Sequence, residues 1–278
     1  MSLSIFIVIL CAALLHASWN ALVKNSSDKI QGMLVLTLAH GFLGVVLACF
    51  VEIPKTEAWP WLLASVFFHV IYQCLLALAY NHGNLSRVYP IARGTAPLIV
   101  LLIYFLLLKN SLVSMEILGI LILGFGIFGM AQGVFANHED LRLLPYAFGS
   151  AIATAGYTLS DGIGARISES ATSYIAWLFI LTVPFFITSA ILLKGFIVIK
   201  IPMKTWKIGS AAGVFSFFSY WVAIWAMTKA PIPLVAALRE TSILFAVLIG
   251  FFVFKEKITK QKIIAGLFIL SGLVVMRL

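Results

Sequence analysis

The stretch "RVYPIARGTAPLIVLLIYFLLL" (87–108) decides the fold class, because it is long enough to cross a membrane and carries a charge inside it. A membrane-spanning helix needs about 20 mostly apolar residues. Arg93 stands among them, and arginine keeps its proton in proteins. Holding that charge in hydrocarbon costs on the order of a few kcal/mol. The stretch therefore indicates a membrane helix whose arginine has a partner or a task.

The rest of the chain shares this apolar character. Of its 278 residues, 62% are hydrophobic and 10% are charged, against about 45–50% and about 25% in soluble domains. Lipid accepts this much apolar surface, whereas a soluble core of this length does not, so we expect an all-α integral membrane protein. The net charge of +9 fits loops beside anionic headgroups better than nucleic-acid binding, because Lys and Arg do not alternate with aromatics in one patch.

Polar breaks divide the chain into ten predicted spans, which are 3–23, 31–51, 60–80, 87–108, 113–135, 143–164, 172–193, 206–227, 233–254 and 260–277. The loops between them are too short to form an aqueous domain. We therefore expect a multi-pass protein of the plasma (inner) membrane whose function lies within the bilayer.

The two halves of the chain repeat each other. A shift of 146 residues places Arg93 on Arg239 and Thr95 on Thr241. This predicts two five-helix units, 1–136 and 137–278. Five is an odd number, so the second unit starts on the opposite side of the membrane, and the repeat is inverted. Secondary transporters often have this plan, with the binding site at the repeat interface.

The chain resembles the EamA family of the drug/metabolite transporter superfamily over nearly its whole length. The resemblance is carried by "ALLHASWNAL" (13–22) and above all by "GFFVFKEKITKQKIIAGLFILSG" (250–272), a helix end, an acidic-basic turn and a glycine-punctuated helix. The matching turn of the first half, "LLLKNSLVSMEILG" (106–119), has Asn110 where the family usually has an acid.

The resemblance implies a ten-helix secondary transporter with a central cavity, often for export of amino acids or other metabolites. It also implies that both termini are cytoplasmic. The distribution of charge predicts the opposite orientation, because Lys and Arg are more frequent in the loops on the side away from the termini. Both orientations stay open at this point.

The two intramembrane arginines are the first site candidates. Arg93 and Arg239 could act as paired clamps for a carboxylate or phosphonate group of the cargo. Alternatively, each could pair with a fixed acid, bond to backbone carbonyls, or extend to the interface. Glu240 follows Arg239 directly, but neighbours on a helix point about 100° apart, so the two need not be partners.

Polar faces also recur on helices one and six. His16, Trp19 and Asn20 lie on one face of helix one, and a shift of 141 places His16 on Tyr157 and Asn20 on Asp161. A buried histidine or acid is a candidate proton carrier, so the proton-coupling candidates are His16, Asp161 and Glu240. His16 could instead make a helix–helix hydrogen bond, and Asp161 could be solvated or pair with Arg166.

A polar-aromatic stripe on helix three, which contains His69, Tyr72, Gln73 and Tyr80, either lines a cavity or packs between helices. His40 is isolated on an apolar helix, and we interpret it as a packing residue. The complete set of substrate-binding candidates is Arg93, Arg239, His16, Trp19, Asn20, Gln73, Tyr89, Tyr157 and Tyr220.

Absent motifs narrow the function. The chain has no phosphate-binding GxxxxGK[ST] loop, and its three cysteines and five histidines show no metal-ligand spacing. We therefore expect a transporter that needs no metal or cofactor and that either is driven by an ion gradient or exchanges or facilitates passively. The alternatives are an intramembrane enzyme acting on lipid-like substrates through His16, His69 or Asp161, and a receptor or assembly subunit.

Overall fold

The computed structural model describes residues 2–24, 26, 28–82, 85–108, 112–136, 143–253, 255 and 258–277. Regular secondary structure in these residues is entirely helical, which confirms the predicted all-α class. The α-helices are α1 Leu3–Lys24, α2 Lys29–Ala48, α3 Trp59–His82, α4 Leu85–Ile103, α5 Ser114–Ala136, α6 Leu143–Ile167, α7 Ala171–Lys194, α8 Met203–Met227, α9 Ile232–Arg239, α10 Ser242–Phe252 and α11 Lys260–Val275.

Six helical segments of the described chain are long and apolar enough to cross a membrane. They are Leu3–Val23, Lys29–Ala48, Thr56–Leu76, Ala171–Lys194, Met203–Met227 and Ile232–Phe252. Two apolar segments are shorter. Arg93–Leu106 begins in α4 and ends in the π-helical turn Tyr104–Leu108 that follows it, and Ser114–Met130 lies in α5. The arrangement of ten spans stays a prediction.

The bundle is apolar outside and polar inside. Phe50, Phe125 and Leu192 each expose 70% or more of their surface, while Arg93 and Asp161 are almost fully buried. This distribution is the opposite of that in a soluble protein, where charged groups face the solvent. It suits lipid as the surrounding medium.

The predicted ninth span is interrupted in the structure. It consists of α9 and α10, separated by Glu240 and Thr241. Both residues keep right-handed helical angles, but their N–H groups bond to carbonyls three residues back, at 3.1 Å each. The Thr241 hydroxyl also donates to the Leu238 carbonyl oxygen. This tightened turn, of the 3₁₀ type, directly follows Arg239 and contains Glu240.

Helix packing follows one pattern in both halves. α1 packs on α8, and α6 packs on α3. α4 lies against α6, and α9 and α10 lie against α1. α2 pairs with α7, and α5 pairs with α11. Exchanging the two halves of the chain converts the α1–α8 and α6–α3 contacts into each other, and likewise the contact of α4 with α6 and that of α9 and α10 with α1. The α2–α7 and α5–α11 pairs are converted into themselves.

Loop contacts fall into two groups. Asp28, before α2, accepts from the Lys194 ammonium at the end of α7, while Lys55, before α3, pairs with Glu169 before α7. In the predicted ten-span arrangement, the two members of each pair lie on the same side of the membrane, and the two pairs lie on opposite sides. Partial burial raises the pKa of Asp28, but Lys194 and the backbone N–H groups at the start of α2 outweigh it, so the pKa lies below its ordinary value.

Small residues bring the last helix of each half into backbone contact. A Cβ atom added to Gly119 on α5 would lie 2.7 Å from the carbonyl oxygen of Gly272 on α11. A Cβ added to Gly272 would lie equally close to the carbonyl oxygen of Gly119. Such reciprocal contact needs glycine on both helices.

We expect Gly119→Val to force α5 and α11 apart and to lower the unfolding temperature of the purified protein in detergent. Overpacking of this kind costs about 1–3 kcal/mol. The matched control is Leu118→Val, because Leu118 is on the same helix with 46% of its surface exposed. Equal unfolding temperatures for the two variants would contradict this account of the interface.

Candidate functional site

A cavity between the two halves is lined by three buried histidines, Arg239 and several aromatic side chains. We call it the central cavity. Its walls come from α1, α2 and α3 of the first half and from α6, α7, α8 and α9 of the second. It is lined by His16, Trp19, Met33, Leu36, His40, His69, Tyr72, Gln73, Tyr157, Phe179, Ser216, Tyr220 and Arg239.

The central cavity is narrow in this conformation. Water centres can occupy about 40 Å³ of it. A single water needs roughly 10–15 Å³ by that measure. The cavity therefore has room for a few waters, and a metabolite fits only after helices move apart.

Sequence reasoning located much of this lining. Six predicted residues face the cavity: His16, Trp19, Gln73, Tyr157, Tyr220 and Arg239. Asn20 is buried beside it, and its amide donates to the His16 carbonyl oxygen at 2.8 Å. The backbone of Tyr89 belongs to α4, but its side chain lies outside the described part of the chain.

Arg93 forms an ion pair with Glu240 across the two halves. The Arg93 Nε atom lies 3.1 Å from Glu240 Oε2, and Nη2 lies 2.9 Å from Oε1. Nη1 donates to the Tyr157 hydroxyl at 3.4 Å. Both charged side chains are at least 96% buried, so each depends on the other for neutralisation. Of the alternatives offered for Arg93, the structure shows the pairing with a fixed acid. That acid, Glu240, lies between α9 and α10.

Arg239 has a different environment. Its guanidinium carbon lies 4.7 Å from the centre of the Tyr220 ring, a cation–π contact, and only 5% of the residue is exposed. Within the described residues no carboxylate approaches it to ion-pair distance. It lines both the central cavity and a smaller pocket beside Glu240, Thr154 and Thr158. The structure therefore leaves a buried cation facing open space.

His16 presents a hydrogen-bond donor to the cavity. Trp19 Nε1 donates to His16 Nδ1 at 3.2 Å. An indole nitrogen can only donate, so Nδ1 is the unprotonated nitrogen, and a neutral His16 carries its proton on Nε2. That atom is buried and has no partner in the part of the chain that the structure describes.

Asp161 is the centre of a network under the cavity. Its Oδ1 accepts from the Tyr174 hydroxyl at 3.2 Å, and its Oδ2 accepts from the Tyr220 hydroxyl. His69 Nε2 lies 3.3 Å from Oδ2, and its ring stacks on Tyr157 with centroids 4.1 Å apart. Asp161 is completely buried, so it is not solvated as one alternative supposed.

Arg166 does not pair with Asp161 either. Its guanidinium donates to the carbonyl oxygens of Met227 and Ala230, at 2.9 and 2.8 Å. It stabilises the end of α8, away from the cavity.

Sequence reasoning missed two features. Tyr174, which holds Asp161, carried no signal in the periodicity of its helix. His40 stacks on Phe179 as a packing residue would, with centroids 4.1 Å apart. However, it also lines the cavity, and its Nε2 has no partner.

Comparison with known proteins adds the family. The sequence model of the EamA-like transporter family matches residues 3–132 and 142–278. The chain belongs to the EamA-like transporter family. No curated protein sequence matches the chain. This EamA-like protein is similar to a solved structure titled "Crystal structure of protein", with a TM-score of 0.73 at 16% sequence identity, covering 98% of this chain and 94% of that one. That likeness shows the fold alone.

Membership in this family makes the protein a membrane transporter by relationship. The predicted resemblance is thereby confirmed. The family consists of transporters rather than enzymes, which favours the transport interpretation over the intramembrane enzyme.

The Arg93–Glu240 pair gives a test of the site's architecture. Arg93→Gln or Glu240→Gln alone leaves one buried charge without its partner, and we expect each to cost about 3–5 kcal/mol of stability. The double variant carries neither charge and should recover much of that loss. Unfolding temperatures in detergent measure all three.

The control is the exposed pair Lys55–Glu169, where Lys55→Gln should cost less than about 1 kcal/mol. Additive losses in the Arg93/Glu240 double variant would contradict the pairing.

Proposed function

We propose that this EamA-like protein is a secondary transporter of a small polar metabolite that bears a carboxylate or phosphonate group, such as an amino acid. The cargo would bind in the central cavity between two inverted five-helix repeats. The observation that carries the proposal is Arg239, whose buried guanidinium faces the cavity without an acid at ion-pair distance in the described chain.

The chemistry of arginine makes this position informative. The guanidinium stays charged, and burial of a charge without a counter-charge is costly. The ring of Tyr220 offsets part of that cost, about 0.5–2 kcal/mol in general. An anionic cargo would supply the rest through a bidentate contact, which suits both carboxylate and phosphonate oxygens.

His16 supports the same cargo class. His16 lines the cavity, and its buried Nε2–H has no acceptor among the described residues. A cargo oxygen could satisfy this donor and Arg239 together. The aromatic side chains of Trp19, Tyr72, Tyr157 and Phe179 line the same space. They would contact the apolar part of the cargo, as in most small-molecule sites.

The packing of the helices supports a transport cycle. The contacts of α1 with α8 and of α6 with α3 exchange when the halves exchange, as expected for repeats related by a two-fold axis. Both family matches, 3–132 and 142–278, fit the proposed units 1–136 and 137–278. Rocking of one unit against the other would open the narrow cavity to alternate sides.

The direction of transport and the membrane in which the protein lies are also parts of the proposal. Export is the direction that the family resemblance suggests, and the plasma (inner) membrane is the location that it suggests. The ten-span topology would place both termini on one side of that membrane.

The proposal is tested by ligand stabilisation of the purified protein. A panel of carboxylates, amino acids and phosphonates is screened for an increase in unfolding temperature. A ligand at one hundred times its Kd stabilises by about 2.7 kcal/mol. We expect at least one anionic compound to stabilise the wild-type protein, and Arg239→Gln to remove that effect.

Arg166→Gln is the matched control, because it removes a guanidinium that bonds to backbone carbonyls outside the cavity. The stabilising anion should act on this variant as on the wild type. Equal stabilisation of Arg239→Gln and Arg166→Gln would refute Arg239 as the anion site.

A further inference from the structure

The charges buried in the described core balance when the cavity is empty. Arg93 and Glu240 neutralise each other directly. Arg239 and Asp161 remain, one positive and one negative. They are connected through a single side chain, since Tyr220 has its ring under Arg239 and donates its hydroxyl to Asp161.

An anion bound to Arg239 disturbs this balance. The anion neutralises Arg239, which until then balanced the negative charge of Asp161. The core then holds one excess negative charge in a medium of low dielectric constant. Charges in such a medium interact strongly over several ångströms. A proton is the simplest compensating cation, and it needs a group that can accept it close to Asp161.

We propose that His69 and Asp161 form a proton-binding site that fills when a monovalent anion occupies Arg239, one proton for each anion. The inference rests on the proposed function and specifies how that function is coupled. Cargo and proton would cross the membrane together without net charge. The cargo gradient and the pH difference would then set the direction of the flux together, and the membrane potential would not contribute. Export would require the cargo gradient to outweigh a pH difference that is acid outside.

Hydrogen-bond roles locate the added proton. Asp161 accepts from both tyrosine hydroxyls, and in the proposed empty state it is a carboxylate. His69 Nε2, 3.3 Å from Oδ2, then carries a proton and donates it. The lone pair of the neutral imidazole is on Nδ1. An incoming proton from water adds there and gives an imidazolium, with no other bond made or broken.

Other groups of the described chain also face this pair. They are His16 on α1, His40 on α2, Arg93 on α4, Tyr157 on α6, Tyr174 on α7, Tyr220 on α8 and Arg239 on α9. Arg93 is neutralised by Glu240, and the tyrosines are neutral donors or acceptors. His16 and His40 are the competing proton acceptors among these seven groups, and the experiment must separate both from His69.

The Arg239→Gln variant tests the inference without any ligand. It removes the same positive charge that an anion would neutralise, so the His69–Asp161 pair should bind a proton in the folded variant. Its stability relative to the wild type should fall as the pH rises. One extra proton in the folded state corresponds to as much as a tenfold change in the unfolding equilibrium constant per pH unit.

Unfolding is followed in detergent from pH 5.5 to 8.5. Arg239→Gln combined with Asp161→Asn carries neither charge, and its stability should keep the same difference from the wild type at all pH values. Arg239→Gln combined with His40→Gln should keep the pH dependence, and so should Arg239→Gln combined with His16→Gln. Loss of the dependence in either of these variants would place the proton on the substituted histidine and overturn the assignment. A constant difference for Arg239→Gln alone would also overturn it.

A second measurement covers the case in which Arg239→Gln does not fold. The wild-type protein is titrated with 3-phenylpropanoate, a monovalent carboxylate, in two buffers of different ionisation enthalpy. The calorimetric heats should show uptake of one proton per anion bound. Binding without proton uptake overturns the inference and leaves the proposed function standing. Absence of binding by 3-phenylpropanoate and by every anion of the panel refutes the proposed function instead.

Discussion

Neutralisation of charge within an apolar bundle is the constraint on which this structure depends. Arginine cannot escape it by losing a proton, so every buried guanidinium must find a counter-charge, water or a ligand. Arg93 finds Glu240 across the two halves. That pair fixes α4 against the break between α9 and α10, and the break in turn directs Arg239 toward the central cavity.

The two arginines are equivalent in the repeat but not in their surroundings, and the difference has a steric origin. The repeat counterpart of Glu240 is Gly94. A Cβ atom on Gly94 would lie 2.4 Å from the Ile127 side chain on α5, so no acid can stand there. Glu240 is therefore the one acid at this repeat position, and it pairs with Arg93. Arg239 has no acid at ion-pair distance in the described chain, which makes it the proposed anion-binding group of the cavity.

The sequence was sufficient to predict the helical class, the family and most of the cavity lining, because these depend on local patterns. Composition and periodicity reveal apolar helices, and a buried charge is conspicuous among them. Six of the predicted binding candidates, among them His16, Gln73 and Arg239, line the central cavity. Their role in binding stays a prediction.

Contacts between distant helices could not be predicted in the same way. Arg93 and Glu240 are 147 positions apart, and no pattern in either helix selects the partner. His69 and Asp161 are likewise brought together only by the packing of α3 on α6. The break at Glu240 and Thr241 depends on short-range hydrogen bonds that an apolar pattern does not encode.

The central claim is that Arg239 binds an anion in the central cavity. A crystal structure with 4-bromobenzoate tests it most directly, because bromine is located by its anomalous scattering. The account predicts a bromine peak in the central cavity, with the carboxylate within hydrogen-bond distance of Arg239 and of His16 Nε2. A peak confined to surface lysines, with Arg239 still in contact with Tyr220 alone, would contradict it.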